Sequence, residues 1–112
     1  MTPALDAVFG NRSASQALLY LQNYGEGYAR GIALTFDVPL TGIQRQLKRL
    51  EGEGILVSRM VGNTRLFTWN PSSRTTKNLR AFLESELESL PNEMTEKYFR
   101  ERRRPRRSGK PL

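Results

Sequence analysis

The 112-residue sequence contains neither cysteine nor histidine. Without cysteine the chain can form no disulfide and no thiolate metal site, and such a composition is typical of the cytoplasm. The lack of histidine removes the commonest general base and the commonest metal ligand, and with them every Ser-His or Cys-His nucleophile scheme. We therefore expect no catalytic residue, no bound metal and no cofactor, and we predict that the protein is not an enzyme.

Long apolar runs are missing as well. No stretch approaches the roughly 20 apolar residues that a membrane-spanning helix needs. The first six residues lack the basic and apolar parts of a secretory signal. With 38% hydrophobic and 26% charged residues, the composition is that of a folded, soluble protein. A chain of this length forms about one domain with one core, which we expect to be cytoplasmic and to have no membrane partner.

Positive charge is concentrated at the C-terminal end. Residues 97–112 contain eight Lys and Arg and one acid, a net charge of +7, whereas residues 1–96 contain ten residues of each sign. A weaker excess lies between residues 39 and 65, where five cations stand against two acids. Clustered cations bind polyanions because binding releases the counterions of the polyanion, so nucleic acid is the predicted partner.

Apolar spacing and helix-breaking residues predict six helices and one β-hairpin. The predicted helices are a short one with Leu5, Val8 and Phe9, one from Asn11 or Ser13 to Tyr24, then 29–36, 40–51, a long one capped within 71–73 and ending near Leu90, and 92–100. The hairpin joins residues 55–61 to 65–69, because the Gly62-Asn63-Thr64 segment between them tolerates positive φ. Residues 25–31 are interpreted as a turn that leads into the helix 29–36.

This order of elements is that of a winged helix-turn-helix, a mainly α fold with a small β-hairpin. We predict that residues 1–90 form a DNA-binding domain of this class. Residues 91–112 are expected to form a short helix and a basic tail that is disordered when unbound, because its charges repel and it lacks apolar periodicity.

The helix 40–51 must bury one face and offer the other to a major groove. At 100° per residue, the positions within about 60° of Ile43 are apolar: Leu40, Leu47 and Leu50. The opposite side, between about 140° and 240°, is polar or basic: Thr41, Arg45, Lys48 and Arg49. Arg pairs with guanine and Gln with adenine, so Gln44 and Arg45 are the predicted base readers. We expect Thr41 to donate to a phosphate or a base, Gly42 to allow close approach of the backbone, and Lys48 and Arg49 to position the helix.

Residues 38–57 read VPLTGIQRQLKRLEGEGILV, and residues 61–67 read VGNTRLF. These segments resemble the recognition helix and wing of ArsR-type bacterial transcriptional regulators, and are similar also to small winged-helix modules associated with minimal nucleotidyltransferases. The resemblance covers about residues 5–90. It implies that Gln46 faces DNA, although helical geometry places it beside the core. It also assigns four wing residues to phosphate or minor-groove contact: Arg59, Asn63, Thr64 and Arg65.

The sequence departs from the family pattern at two points. Pro39 stands where the family often has a capping Ser. The lack of Cys and His leaves no ligands for the metal sensing that many ArsR-type proteins perform, so we expect no inducer metal.

The tail cations are predicted to follow DNA phosphates or to enter a narrow A·T-rich minor groove: Arg102, Arg103, Arg104, Arg106 and Arg107. The alternative is a solubilising extension that binds any polyanion weakly.

The predicted function is that of a sequence-specific transcriptional regulator, a repressor that binds double-stranded DNA as a homodimer. The leucine-rich stripe 79–90 and the N-terminal helix are the predicted dimer interface. The alternative for this stripe is a lid over the core of its own chain. A function of another class is an adaptor subunit that binds DNA or RNA and docks a partner enzyme such as a nucleotidyltransferase.

Overall fold

The computed structural model describes residues 3–99. In chain order its elements are α1 (Pro3–Phe9), α2 (Arg12–Tyr24), β1 (Glu26–Tyr28), α3 (Ala29–Phe36), α4 (Leu40–Gly52), β2 (Leu56–Val61), β3 (Thr64–Trp69), α5 (Arg74–Glu88) and α6 (Asn92–Tyr98). This mainly α arrangement with a small sheet confirms the predicted winged helix-turn-helix. None of the helices within residues 3–99 is long and apolar enough to span a bilayer.

Helix α2 is the centre of the domain. It begins where the Asn11 side-chain oxygen accepts a hydrogen bond from the Ala14 backbone N–H at 2.8 Å, as expected for an N-cap. It ends at Gly25, whose φ of 89° suits a residue without a side chain. Helices α1, α3, α4 and α5 and strand β1 all contact α2. Most of its residues are therefore buried, including polar ones such as Gln22 and Asn23.

The sheet has three antiparallel strands in the order β1-β3-β2. Val61 pairs with Thr64, so Gly62 and Asn63 form a two-residue turn in which Gly62 has a φ of 64°. The interpretation of residues 25–31 as a turn is wrong in part, because β1 pairs with β3 through Gly27 and Phe67. A Cβ atom at residue 27 would lie 2.7 Å from the Tyr20 ring, so glycine is needed for this strand to pack on α2.

Helices α3 and α4 form the helix-turn-helix pair. Asp37 adopts the left-handed conformation with a φ of 55°, and the following Val38 N–H donates to the Ala33 carbonyl oxygen at 3.0 Å. Pro39 then precedes α4, where a missing N–H costs no helical hydrogen bond. Helix α4 buries the predicted Ile43 and Leu47 completely. The turn thus sets the direction in which α4 packs on the core.

Helix α5 follows a cap in which Ser73 Oγ accepts a hydrogen bond from the Thr76 backbone N–H at 3.1 Å. The predicted apolar stripe of this helix divides. Leu83 and Leu87 are buried in the core, whereas Phe82 is 41% exposed. In α1, Val8 is 66% exposed, while the Phe9 ring meets the Phe82 ring edge-on at 6.4 Å. The spacing alone could not separate inward from outward apolar residues.

Contacts with the core continue beyond residue 90. The Tyr24 hydroxyl donates to the Tyr98 carbonyl oxygen at 2.9 Å, and the Phe36 and Tyr98 rings lie 4.9 Å apart. Phe99 is fully buried in the same core. Helix α6 is therefore part of the packed domain. The predicted tail contacts at residues 102–107 lie outside the described residues.

Candidate nucleic-acid interface

One face of α4 is anchored in the core and the other lies at the surface. Five of the residues predicted to face DNA are exposed along this outer face: Thr41, Gln44, Arg45, Lys48 and Arg49. Because Ile43 and Leu47 are fully buried on the inner face, the helix cannot rotate about its axis without exposing them. The polar face is therefore held at a fixed orientation.

Gln46 does not belong to that exposed set. It is only 9% exposed, and its side-chain oxygen accepts a hydrogen bond from Arg49 Nε at 2.9 Å. Helical geometry places this residue beside the core, in agreement with its burial, and that burial does not favour the DNA-facing position implied by the family resemblance. Gln46 is instead linked to the Arg49 guanidinium, about one turn further along α4.

Gly42 faces α2 and not only solvent. A Cβ atom at this position would lie 3.1 Å from Ser13 Oγ, a distance at which the neighbouring side chain would have to move. The expected close approach at Gly42 is thus an approach of α4 to α2. This contact packs the N-terminal end of α4 against α2, the central helix of the domain.

The four predicted wing residues are all exposed: Arg59, Asn63, Thr64 and Arg65. The register separates the two arginines, because Met60 pairs with Arg65 while Arg59 pairs with Leu66. Successive residues of a strand point to opposite faces. Arg65 consequently lies on the face of the wing that is turned toward α4, and Arg59 on the other.

An open cleft of about 470 Å³ separates the wing from α4. Its lining combines three cations, three uncharged polar residues and three apolar ones: Arg30, Lys48, Arg65, Gln44, Asn63, Thr64, Ala29, Leu40 and Phe67. Among the described residues no carboxylate lines this cleft. Its chemistry is therefore that of a site for an anion with polar edges.

Arg30 is a lining residue that sequence reasoning missed. It is a single exposed arginine in the first turn of α3, and the residues beside it in the sequence form no pattern that predicts a binding role. Strand β1 runs into α3 directly, and Tyr28 pairs with Leu66 of the wing. This pairing, which has no sequence signal of its own, brings Arg30 to the cleft.

The cations of this surface form no direct ion pairs among the described residues. Arg12 and Asp6 pair at 3.6 Å elsewhere in residues 3–99, and no cation of α4, the wing or α3 takes part in an ion pair there. The same part of the chain contains no cluster of His, Cys, Asp or Glu that could hold a metal.

The pKa of Tyr20 is raised, mainly because the side chain is partly buried and also because Tyr24 lies beside it. Tyr20 does not line the cleft.

No protein-family model matches the sequence, and no curated protein matches it. Solved structures do share its fold. A MarR-family transcriptional regulator from Rhodococcus sp. RHA1 is 18% identical with a TM-score of 0.53, over 83% of this chain and 72% of that one. The apo form of a ZitR mutant from Lactococcus lactis is 16% identical with a TM-score of 0.52, over 83% and 79% of the two chains. CouR from Rhodococcus jostii RHA1, bound to p-coumaroyl-CoA, is 18% identical with a TM-score of 0.51, over 83% and 71%.

These likenesses, together with the order of elements, show that the chain has a winged-helix fold. At identities below one fifth they establish the architecture and leave the particular function to the site.

Proposed function

We propose that this protein is a sequence-specific transcriptional regulator that binds double-stranded DNA and acts as a repressor. The observation that carries the proposal is the exposed polar face of α4 beside a cleft with three cations and no carboxylate among the described residues. A major groove about 12 Å wide admits an α-helix, and the phosphates on its edge attract uncompensated cations. The fold that this chain shares with a MarR-family transcriptional regulator supports the same function.

The two parts of the interface have different roles in this proposal. Gln44 and Arg45, near the N-terminal half of α4, read base edges, because their side chains match adenine and guanine in the major groove. Lys48, Arg65 and Arg30 bind the phosphates of the backbone that runs between helix and wing. The remaining polar residues at the surface contribute further backbone or minor-groove contacts: Thr41, Arg49, Arg59, Asn63 and Thr64.

We propose a homodimer, because one recognition helix reads too few bases for useful specificity. Two apolar side chains at the contact of α1 with α5, Val8 and Phe82, are exposed, and Phe82 packs against Phe9. Apolar surface of this kind is buried favourably by a second copy. Repression then follows from occupation of a promoter, which excludes the polymerase sterically.

Selection of bound duplexes from a random DNA pool at about 0.15 M salt tests the proposal, since phosphate contacts are strongly weakened by salt. We expect a palindromic consensus whose half-sites lie about 34 Å apart, one turn of DNA. Failure to enrich any sequence would refute the regulator and favour a nonspecific nucleic-acid adaptor. A consensus without two-fold symmetry would refute the homodimer alone.

A pair of matched variants gives the control. The double substitution Gln44→Ala with Arg45→Ala should abolish the consensus, since it removes both proposed base readers. The double substitution Asn78→Ala with Arg74→Ala removes the same kinds of group from the exposed face of α5 and should leave the consensus unchanged. If both pairs behave alike, the reading surface lies elsewhere.

A further inference from the structure

A chain of two hydrogen bonds connects the wing to the recognition helix. Arg65 Nη1 donates to Ser58 Oγ at 3.0 Å, and Ser58 Oγ donates to Glu51 Oε2 at 2.5 Å. The directions are fixed by chemistry, because a guanidinium can only donate and a carboxylate can only accept. The Ser58 hydroxyl therefore accepts a hydrogen bond from a cation and donates one to an anion, and both hydrogen bonds are charge-assisted.

Each member of this chain comes from a different element. Glu51 is in the last turn of α4, Ser58 in the middle of β2, and Arg65 next to the first residue of β3. Ser58 pairs with the buried Phe67, so it lies on the face of the sheet that packs toward the core. Ser58 is half-buried whereas the residues of the wing tip are exposed, so the chain links an exposed arginine to a packed part of the fold.

The chain also determines where the arginine points. With this contact Arg65 lines the cleft together with Gln44 and Lys48 of α4. It forms no direct ion pair with Glu51 within the described residues, and Glu51 does not line the cleft. One of its five N–H groups is used in the hydrogen bond to Ser58, and the others remain available to phosphate oxygens.

We propose that Ser58 is a positioning residue, which with Glu51 as its anchor holds Arg65 in the cleft so that wing and recognition helix bind the same DNA backbone together. The inference rests on the proposed function and adds the partner of this site, a phosphate between α4 and the wing. A free arginine loses much rotamer freedom when it binds. Here that freedom is already restricted before DNA arrives, and affinity gains because less entropy is lost on binding.

A double-mutant cycle in the full-length protein tests the coupling, with fluorescence anisotropy on a mixed-sequence duplex of about 30 base pairs at about 0.05 M salt, where phosphate contacts dominate. We expect Arg65→Ala to weaken binding about 10-fold and Ser58→Ala about 4-fold, typical of one lost charged contact and of part of one. Because Ser58 acts through Arg65, the double variant should bind no more weakly than Arg65→Ala alone. Ser58→Thr keeps the hydroxyl and should bind within about 2-fold of the natural protein.

Ser72→Ala is the matched control, because Ser72 is exposed in the turn before α5 and does not line the cleft. It should leave binding unchanged. The inference would be overturned if the losses in affinity caused by Ser58→Ala and Arg65→Ala multiplied in the double variant. It would also be overturned if Ser58→Ala bound DNA more tightly, because the hydrogen bond would then keep Arg65 away from phosphate.

A measurement without DNA separates the inference from the proposed function. In ¹⁵N NMR spectra of the free protein, the Arg65 guanidinium should exchange its protons more slowly than that of Arg59 and should lose this protection in Ser58→Ala. Equal exchange at Arg59 and Arg65 would show that the hydrogen bond does not hold the side chain and would refute the inference even if the protein binds DNA. Protection at Arg65 combined with no binding to any duplex would refute the proposed function, and with it the role of Ser58 toward phosphate.

Discussion

Two of the clefts in the described part of this small domain differ in the surroundings that they give to their arginine and lysine side chains. The cleft between α4 and the wing measures about 470 Å³. A second cleft, between the end of β3 and the first half of α5, measures about 610 Å³ and includes Lys77 and Arg80. The second is the larger, yet we place the function in the first.

The reason is the set of contacts that the cations make in each cleft. In the second cleft Arg80 Nε donates to Gln22 Oε1 at 3.0 Å, and Gln22 Nε2 donates to Glu84 Oε1 at 3.1 Å. The Arg80 guanidinium also lies 5.5 Å from the centre of the Trp69 ring, within cation–π range. A carboxylate and an aromatic face are thus present beside this arginine. Glu84 lines the second cleft, whereas no carboxylate among the described residues lines the cleft between α4 and the wing. The carboxylate of Glu51 lies outside that lining and reaches Arg65 only through Ser58.

Volume is therefore a poor guide to function in this protein, and the balance of charge is a better one. Cations in a cleft that a carboxylate also lines are partly balanced by the fold, whereas cations in a cleft without a lining carboxylate are available to an external anion. The following variants test this distinction between the two clefts, beginning with the C-terminal cations, which the sequence predicts to bind DNA phosphates.

Removal of residues 100–112 should have the largest effect. This segment contains seven of the 18 Lys and Arg and one acid, and deletion after the buried Phe99 leaves the described core intact. If the tail binds DNA, the slope of log K against log salt should fall by several units, since each phosphate contact contributes about 0.9. An unchanged slope in a salt titration of both proteins would assign the tail to solubility.

Charge reversal distinguishes the clefts directly. Lys48→Glu should weaken binding to duplex DNA about 10- to 100-fold, because it removes a phosphate contact and adds repulsion in the site. Lys77→Glu makes the same change in the second cleft and should alter affinity by no more than about 2-fold at 0.15 M salt, where charges are screened over about 8 Å. Fluorescence anisotropy measures both, and equal losses would mean that the second cleft also faces DNA.

Periodicity was sufficient to predict what depends on one helix at a time. Ile43 and Leu47 recur at helical spacing, so their burial and the exposure of Gln44 and Arg45 follow from geometry alone. The same spacing placed Phe82 in a continuous stripe, and the structure leaves it at the surface. Whether an apolar residue at the margin of a stripe is buried depends on which other element packs against it. The spacing of residues within one helix does not indicate that element.

Contacts between distant segments could not be predicted. Strand β1 has three residues and no alternation of its own, and it is a strand because it pairs with β3 about 40 residues later in the chain. Arg30 enters the cleft as a consequence of that pairing. The contacts of Ser58 with Glu51 and Arg65 likewise depend on the packing of β2 against α4. Apolar periodicity thus predicted the buried and exposed faces of α4, whereas the cleft beside it depends on tertiary pairing.

Specificity should depend on the helix and general affinity on the wing. Arg45→Ala should cost about 1 to 3 kcal/mol on a selected sequence and relax the preference at one base pair. Arg65→Ala should weaken all sequences alike, because a phosphate contact carries no base information. Binding of each variant to a panel of single-base-pair substitutions of the selected site checks both. The reverse pattern would show that the base reader lies on the wing.

The smallest expected effect belongs to the second cleft. Arg80→Ala removes the donor to the buried Gln22 and the cation over Trp69, so the free energy of unfolding should fall by about 1 kcal/mol. DNA affinity should stay the same, since this cation serves the fold. Arg74→Ala removes an exposed cation from the first turn of the same helix and should change stability by less than about 0.5 kcal/mol. Urea unfolding measures both differences, and a loss of DNA affinity in Arg80→Ala without a loss of stability would reverse the roles that we assign to the two clefts.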